Sequence, residues 1–542
     1  MNWFFKRANK KIGLGNAAAL LIVVSLIGQV LGFLRYKMVN ANFLAVGSQS
    51  TDAYFAAFKI PDFFFFTLAA GALGVAFMPI LAEHLERGDR KGVWELSNSL
   101  LNLMAMVMFV VGLIILIFAR PLLHFVVAPN LGSNLPPDQQ AELVNHAVFI
   151  MRLIAFNPLF FAISGILTSV QQTFGRFFFY AIGPIFYNFS IIVSVLIFRH
   201  NLGLVGLGVG AMIGGLLQLL VAALGLFDTN FHWRPKILWS SNDFKTILRQ
   251  LPPRSIDQGV DSINSIVETN LATRLGVGNI SFYENAYIMH TTPTLVIGTT
   301  IATAAFPRMT ERLAQGRTDL FRKDFLRILR TIIWITIPVV VICFFARGYF
   351  ARLIFAKNAK DIALIFGYLT GAIFFRTIYA IISRWFYAQK DTKTPLFVSL
   401  FAIGLNIFLA YNLSRPQPDG YGIAGLALAQ SIVAASEVLI LGSLMYLRDR
   451  QLFNIEFWSN ILQIVSVTGF SVVATYIMLH FLPLGINDRG FITLGSKLGA
   501  ISLVTLTVHV FMSWLFGLEE AQVVIDKAKR FILRPVRIDY SE

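Results

Sequence analysis

The chain has 542 residues, of which 56% are apolar and only 14% are charged, and its mean hydropathy is +0.68. Soluble domains usually carry about 25% charged residues, so this composition excludes a soluble globular protein. The formal net charge of +16 at pH 7 suggests nucleic-acid binding, but no basic, aromatic-interleaved soluble segment is present to hold a nucleic acid. We therefore predict an integral membrane protein that binds no nucleic acid.

Fourteen stretches of the chain are apolar for about the length that a bilayer requires. A spanning helix needs roughly 20 mostly apolar residues, and none of these stretches shows the period-2 alternation of a membrane β-barrel. The pattern predicts an all-α membrane protein. The predicted spans are 15–36, 52–82, 95–119, 146–170, 177–198, 203–227, 250–273, 281–306, 328–350, 361–388, 394–413, 420–446, 457–482 and 492–517.

The first two predicted spans carry charged residues. Arg35 ends span 1, and span 2 contains Asp52, Lys59 and Pro61. A charge at the bilayer centre costs at least about 2.5–3.5 kcal/mol, which makes it a functional candidate by default. Arg35 or Lys59 could instead extend to the membrane surface with no other role. Because a proline frees backbone carbonyls that a protein-lined or wet cavity must satisfy, we expect a kinked cavity wall with Pro61 at the kink.

Span 7 has the longest polar pattern of the chain. Its members recur at spacings of 3, 4, 3 and 4, which places them on one helix face; they are Arg254, Asp257, Asp261, Asn264 and Glu268. Such a face is expected to line a lobe interface or a water-filled cavity. Two interpretations stay open: a lining that couples transport to Na+ or H+, or an internal salt-bridge ladder. No other cofactor is expected.

Further arginines inside predicted spans include the candidates Arg152 in span 4 and Arg376 and Arg384 in span 10. They could line the same cavity or neutralise the acids of span 7. The single cysteine, Cys343, lies within a span, and the eight histidines show no metal-ligand spacing. We therefore expect neither a disulfide framework nor a metal site.

Lysine and arginine are distributed unevenly between the two sides of the predicted spans. With the N-terminus in the cytoplasm, the inside segments hold 27 of the 45 basic residues, and the outside segments hold about eleven when those at the span ends are included. Cytoplasmic segments of membrane proteins are enriched in these residues, so both termini are expected to be cytoplasmic. The same positive charge attracts anionic membrane lipid.

Three short segments recur in the same order in the two halves of the chain. "PILAEHLERG" (79–88) matches "PRMTERLAQG" (307–316), "GLVGLGVG" (203–210) matches "GIAGLALA" (422–429), and "FLAVG" (43–47) matches "RLGVG" (274–278). The repeating unit is six spans, an even number, so the two lobes are expected to be parallel repeats with a substrate site between them. The predicted organisation is a cytoplasmic N-terminus (1–14), an N-lobe (15–228), a cytoplasmic connector (229–249), a C-lobe (250–447), two further spans (457–518) and a basic cytoplasmic tail (519–542).

Four motifs resemble those of the MurJ/MviN family of lipid II flippases, within the multidrug/oligosaccharidyl-lipid/polysaccharide exporter superfamily. They are "VLGFLRYKMV" (30–39), "TDAYFAAFKIPDFFF" (51–65), "AFMPILAEHLERG" (76–88) and "FYAQKDTKTP" (386–395). The resemblance implies a transporter that moves lipid-linked peptidoglycan precursor from the inner to the outer leaflet of the bacterial cytoplasmic membrane. By motif, Arg35, Asp52 and Lys59 match residues of the family.

The chain departs from the family pattern at several cavity positions. The family's arginine pair after the lysine–proline motif is replaced by Phe65 and Phe66, and Gln29, Ala70 and Tyr287 replace other charged residues. The resemblance implies a cationic cavity for a pyrophosphate head group. The candidates kept here are Arg35, Asp52, Lys59, Arg152, Arg254, Arg376 and Arg384, with Asp257, Asp261, Asn264 and Glu268 as candidates for ion coupling.

Other functions stay open beside lipid II transport. The chain could export another lipid-linked saccharide or act as a drug/cation antiporter of the same superfamily. A membrane enzyme would need a catalytic acid cluster or histidine in a membrane-surface loop, and the predicted loops show no such catalytic motif. We expect a transporter that is not an enzyme, and a monomer in contact with membrane lipid. Membrane potential, Na+ and H+ are the candidate driving forces.

Overall fold

The computed structural model describes residues 14–70, 77–227, 229, 231–355, 357–416 and 418–532. Within these ranges the chain consists of helices and the turns between them, with a single isolated β-bridge between Leu44 and Ser50. The predicted all-α class is therefore confirmed.

The helices group into two compact units. The first unit is Met1–Asn285 with Ile407–Ile423, and the second is Ala286–Asn406 with Ala424–Glu542. The helices up to the first boundary are α1 Leu14–Asn42, α2 Asp52–Phe64, α3 Met78–Glu86, α4 Arg90–Pro121, α5 Pro137–Leu153, α6 Asn157–Thr173, α7 Phe178–Phe198, α8 Val205–Leu224, α9 Asn242–Thr273 and α10 Asn279–Pro293. The later helices are α11 Thr300–Ala314, α12 Thr318–Phe345, α13 Arg347–Ile354, α14 Ala359–Ala388, α15 Lys393–Leu413, α16 Ile423–Arg448, α17 Ile455–Phe481, α18 Phe491–Leu515 and α19 Glu519–Ile532.

Ten helical segments in the described residues are long and apolar enough to cross a membrane. They correspond to predicted spans 3–6 and 9–14. The other four predicted spans include α2, α9 and α10, which carry Lys59, Glu268 and Glu284, and α2 and α10 are only 13 and 15 residues long. Span 2 also includes residues 71–76, which lie outside the described ranges. The count of fourteen spans and the predicted lobe boundaries therefore stay predictions.

The repeated segments share local backbone geometry. Gly88 and Gly316, which end the first pair of matched segments, have φ values of +75° and +71°. Gly47 and Gly278, which end the third pair, have φ values of +96° and +99°. Side chains other than glycine rarely adopt this region. The matched sequences thus encode the same turns in both halves of the chain.

Three π-helical segments follow prolines, namely π1 Phe65–Ala70, π2 Leu122–Val127 and π3 Thr294–Thr299. Pro121 and Pro293 immediately precede π2 and π3, and Pro61 lies four residues before π1. Proline removes one helical donor and crowds the preceding turn, and π turns accommodate such interruptions. Helix α2 itself continues through Pro61 to Phe64, so the irregular turn lies just after the predicted kink.

A buried apolar cluster packs several helices of the first unit together. It joins α3, α4, α6, α8 and the start of α9 through residues such as Phe77, Leu100, Val170 and Phe244. In the second unit a separate cluster joins α11, α12, α14, α16 and α17, with Trp385 buried in it. Each unit therefore has its own packed interior.

Candidate functional site

Lys59 is at the centre of a polar network in the first unit. Its ammonium group donates to Ser265 Oγ on α9 at 2.7 Å and forms a short ion pair with Glu284 on α10. The side chains of Lys59 and Glu284 are only 11% and 17% exposed. A lysine this buried needs an anionic or polar partner, and α10 supplies it. Lys59 therefore does not extend to solvent, and its charge is balanced within the protein.

Two further charged groups adjoin this pair. The carboxylate of Asp62 lies within electrostatic reach of Lys59, Arg35 and Glu284, and forms no hydrogen bond with any described residue. The Arg35 guanidinium lies 5.0 Å from the centre of the Tyr36 ring. The network therefore holds two cations and two carboxylates. The charges of these four groups balance one another within the protein.

Asp52, which is predicted to line the cavity, caps a helix in the structure. Its carboxylate accepts from the backbone N–H groups of Gly278 at 2.6 Å and Ser281 at 2.8 Å, and from the Ser281 hydroxyl at 2.6 Å. The side chain is 1% exposed. The first N–H groups of a helix lack intrahelical partners, and a carboxylate satisfies them. Asp52 thus fixes the start of α10, the helix that carries Glu284.

Helix α10 is anchored to α1 as well. Asn40 and Asn285 exchange two side-chain hydrogen bonds of 3.0 and 2.8 Å, and both residues are buried. Thr51 and Ser281 hydroxyls lie 2.7 Å apart. Buried amides need partners on both donor and acceptor atoms, and this reciprocal pair supplies them. These contacts hold Glu284 in position beside Lys59.

The polar face of α9 divides into two environments. Asn264 and Glu268 are buried, and the Asn264 amide donates to Glu268 Oε1 at 3.0 Å. Asp261, one turn earlier, is exposed. The helix is continuous from Asn242 to Thr273, whereas the side chains of Arg254 and Asp257 lie outside the described residues. The acids of this face therefore do not share one environment.

In the second unit Arg376 also has an internal acid. Its guanidinium lies 3.1 Å from Glu437 Oε2 and donates to Gln430 Oε1 at 3.4 Å. Glu437 is 2% exposed. Arg384, two turns along α14, donates to the Thr303 hydroxyl at 3.4 Å and lies over the rings of Phe306 and Tyr387. The two arginines of predicted span 10 thus have different kinds of partner.

The remaining predicted cation, Arg152, lies apart from the Lys59 network. It is exposed near the end of α5 and donates to the backbone carbonyl of Leu116 at 3.2 Å.

The sequence analysis did not select two acids that the structure places beside predicted cations, Glu284 and Glu437. The available signal was an acid inside an apolar stretch, the same signal that selected Lys59.

Comparisons with known proteins decide the family. The family model described as "Lipid II flippase MurJ" matches residues 41–488. The chain belongs to the MurJ family. Proteins named "Probable lipid II flippase MurJ" from Borreliella burgdorferi and Buchnera aphidicola are 23% and 25% identical, over 84% and 92% of this chain and 88% and 96% of their own lengths. A solved structure titled "Lipid II flippase MurJ, inward closed conformation" is 21% identical with a TM-score of 0.74, covering 92% of this chain and 98% of that one.

The D-x-K-T-P motif that resembles the MurJ family has a structural role. Asp391 accepts from the backbone N–H groups of Lys393 at 3.1 Å and Thr394 at 3.0 Å, and pairs with Arg448 at 2.7 Å. Partial burial alone would raise the pKa of the Asp391 carboxyl, but the bonds from Thr394 and Arg448 lower it to about 2. The motif therefore caps α15 and ties its start to the end of α16.

A histidine joins three helices at the predicted cytoplasmic side of the first unit. His84 of α3 contacts Asp89, which caps α4, and Asp243 in the first turn of α9, each at 2.9 Å. Partial burial lowers the pKa of the imidazole, but the hydrogen bonds to Asp89 and Asp243 outweigh it, and the net pKa is above 6.5. Both ring nitrogens can donate only in the charged form.

We expect the His84 contacts to weaken as pH rises. A group whose pKa is raised by folding stabilises the native state fully below its unfolded pKa, and this contribution is lost as pH rises through the folded value. Because both acids are half exposed, the loss should be at most about 1 kcal/mol. Melting of purified protein between pH 6 and 9 measures it, and His84→Gln should flatten the profile. An unchanged profile in that variant would contradict the assignment.

Proposed function

We propose that this chain is a flippase that translocates lipid II, the lipid-linked peptidoglycan precursor, from the inner to the outer leaflet of the bacterial cytoplasmic membrane. The observation that supports this most is the MurJ family match over residues 41–488. The substrate of such a protein carries a pyrophosphate, and the first unit holds the partly buried cations Arg35 and Lys59 on helices that the sequence predicts to span the membrane. Alternating access between two lobes is the mechanism that we infer.

In this proposal Arg35 and Lys59 contact the pyrophosphate. Arginine offers phosphate a planar fork and lysine a point charge. In the structure Glu284 forms an ion pair with the Lys59 ammonium group. Glu284 thus serves as an internal counter-ion, which a substrate phosphate replaces. The exchange keeps Lys59 from being buried without a partner, which is costly. Arg376, with Glu437, provides a similar pair in the second unit.

The orientation and state of the protein belong to the same proposal. We infer that both termini are cytoplasmic, because 27 basic residues fall on that side of the predicted spans and cytoplasmic segments are enriched in lysine and arginine. The protein works as a monomer and is not an enzyme. Membrane lipid and the lipid-linked saccharide are its partners.

A coupling ion, Na+ or H+, would use the polar face of α9. Glu268 is buried beside Asn264, whereas Asp261 is exposed. Coupling predicts that Asp261→Asn or Glu268→Gln slows transport and changes its dependence on sodium or pH. Transport per folded molecule, measured across sodium concentration and pH, tests this. Unchanged profiles in both variants would make the face structural and would favour membrane potential as the driving force.

Rescue of a bacterium depleted of its own lipid II flippase tests the proposed function. Expression of this chain should restore growth and the appearance of lipid II in the outer leaflet, and an empty vector should not. Failure to rescue, with the protein folded and present in the membrane, would contradict lipid II transport. The family arginines replaced by Phe65 and Phe66 would then favour another lipid-linked saccharide or a drug as the substrate.

A further inference from the structure

An apolar cavity lies in the first unit, apart from the Lys59 network. Its volume is about 650 Å³, and it is lined by α2, π2, α9 and the end of α15. Ile60 and Leu271 in its lining are buried, whereas Phe125 is 76% exposed. This volume falls within the range of roughly 300–1,000 Å³ typical of ligand pockets. The cavity therefore opens to the surroundings and reaches into the packed helices.

Two arginines lie around one tyrosine of this cavity. Arg274, which follows the last residue of α9, has its guanidinium carbon 5.7 Å from the centre of the Tyr411 ring. The guanidinium carbon of Arg415 lies 5.8 Å from the same centre. Arg274 and Tyr411 both line the cavity, and Tyr411 is 51% exposed. Two positive groups thus adjoin an apolar space.

Neither arginine has an acidic partner among the residues that the structure describes. Arg415 donates to Asn412 Oδ1 at 3.2 Å, but no described carboxylate lies within ion-pair distance of Arg274 or Arg415. Positive groups that lack an acidic partner attract an anion. By contrast, Lys59 and Arg376 have glutamate partners. The site around Tyr411 therefore favours an anionic ligand.

We propose that this site binds one molecule of an anionic phospholipid. The phosphate lies between Arg274 and Arg415, and an acyl chain fills the cavity. Arginine matches phosphate in geometry as well as charge, and tyrosine is enriched at the level of lipid head groups. Basic residues near a membrane surface attract anionic lipid. A free anion would leave the apolar part of the site without a ligand, whereas a phospholipid uses both parts.

Lipid titration of the purified full-length protein in detergent tests the proposal. Phosphatidylglycerol and phosphatidylcholine with the same acyl chains are compared by the stability that each adds, since a ligand of the native state raises the melting temperature. Phosphatidylglycerol should bind at least tenfold more tightly. Arg274→Gln or Arg415→Gln should each weaken it about fivefold, and the double variant about thirtyfold. Ile263→Trp, which fills the cavity, should weaken binding of both lipids.

Arg199→Gln is the matched control. Arg199 is another arginine of the first unit; it donates to Asn42 Oδ1 at 2.6 Å and does not line the cavity. This variant should keep wild-type affinity.

Equal affinity for the two lipids, or unchanged affinity in the double arginine variant, would overturn the proposal. Displacement by inorganic phosphate at equal concentration would assign a simple anion site, and tighter binding of a polyprenyl phosphate would assign a carrier-lipid site; either result overturns the phospholipid. If the double variant does not fold, the single variants and the lipid preference decide.

Discussion

Lys59→Met is expected to abolish transport and to lower stability at the same time. A hydrogen bond to a charged group contributes about 1.5–3 kcal/mol, so loss of the Lys59 contact to a pyrophosphate should slow transport at least tenfold. The substitution also leaves Glu284 without its ion-pair partner in a region where both side chains are less than a fifth exposed. Removal of one partner of a buried pair costs about 3–5 kcal/mol.

The double variant Lys59→Met, Glu284→Gln separates these effects. It removes both charges, so we expect abundance and melting temperature close to wild type while transport stays lost. Glu284→Gln alone keeps the lysine and should still transport. Lipid II flipping in proteoliposomes, normalised to folded protein, measures transport, and fluorescence-detected size exclusion measures folding. Wild-type transport by the double variant would show that the pair is only structural and would place the pyrophosphate site elsewhere.

The positions of the helices could be predicted from sequence because membrane burial requires long apolar runs. The buried position of Lys59 followed from the same principle, since a lysine inside such a run is costly unless it has a partner. The sequence could not identify that partner. Glu284 lies 225 residues away, and periodicity within one helix carries no information about which other helix faces it.

Asp52 and Lys59 lie seven residues apart in predicted span 2, and the sequence marks both in the same way, as charged residues inside a membrane span. The structure gives them different partners. Asp52 is satisfied by backbone N–H groups at the start of α10, whereas Lys59 is satisfied by the Glu284 side chain. A ligand can replace a side-chain partner, because the side chain can rotate away. A ligand cannot replace the N–H groups at the end of a helix without moving the helix. Of these two residues, Lys59 is therefore the one that can exchange its partner for a substrate group.

This difference gives the second large effect: Asp52→Ala is expected to destabilise the fold. It leaves the backbone N–H groups of Gly278 and Ser281 buried without an acceptor, while the Ser281 hydroxyl keeps the Thr51 hydroxyl as a partner. Each unsatisfied buried donor costs about 1–3 kcal/mol, so the loss should be at least about 2 kcal/mol. Asp52→Asn should destabilise the fold less, because its amide oxygen can still accept from Ser281. Its NH2 group would face the N–H of Gly278, so that donor would lose its acceptor. Ser281→Ala is the control, because it keeps both backbone N–H bonds to Asp52 and removes only the hydroxyl contacts to Asp52 and Thr51; we expect a smaller loss of about 1 kcal/mol. Melting temperature and abundance in the membrane measure the series, and transport per folded molecule is measured beside them. A stable, folded Asp52→Ala protein that no longer transports would contradict the capping role and assign Asp52 to the substrate cavity.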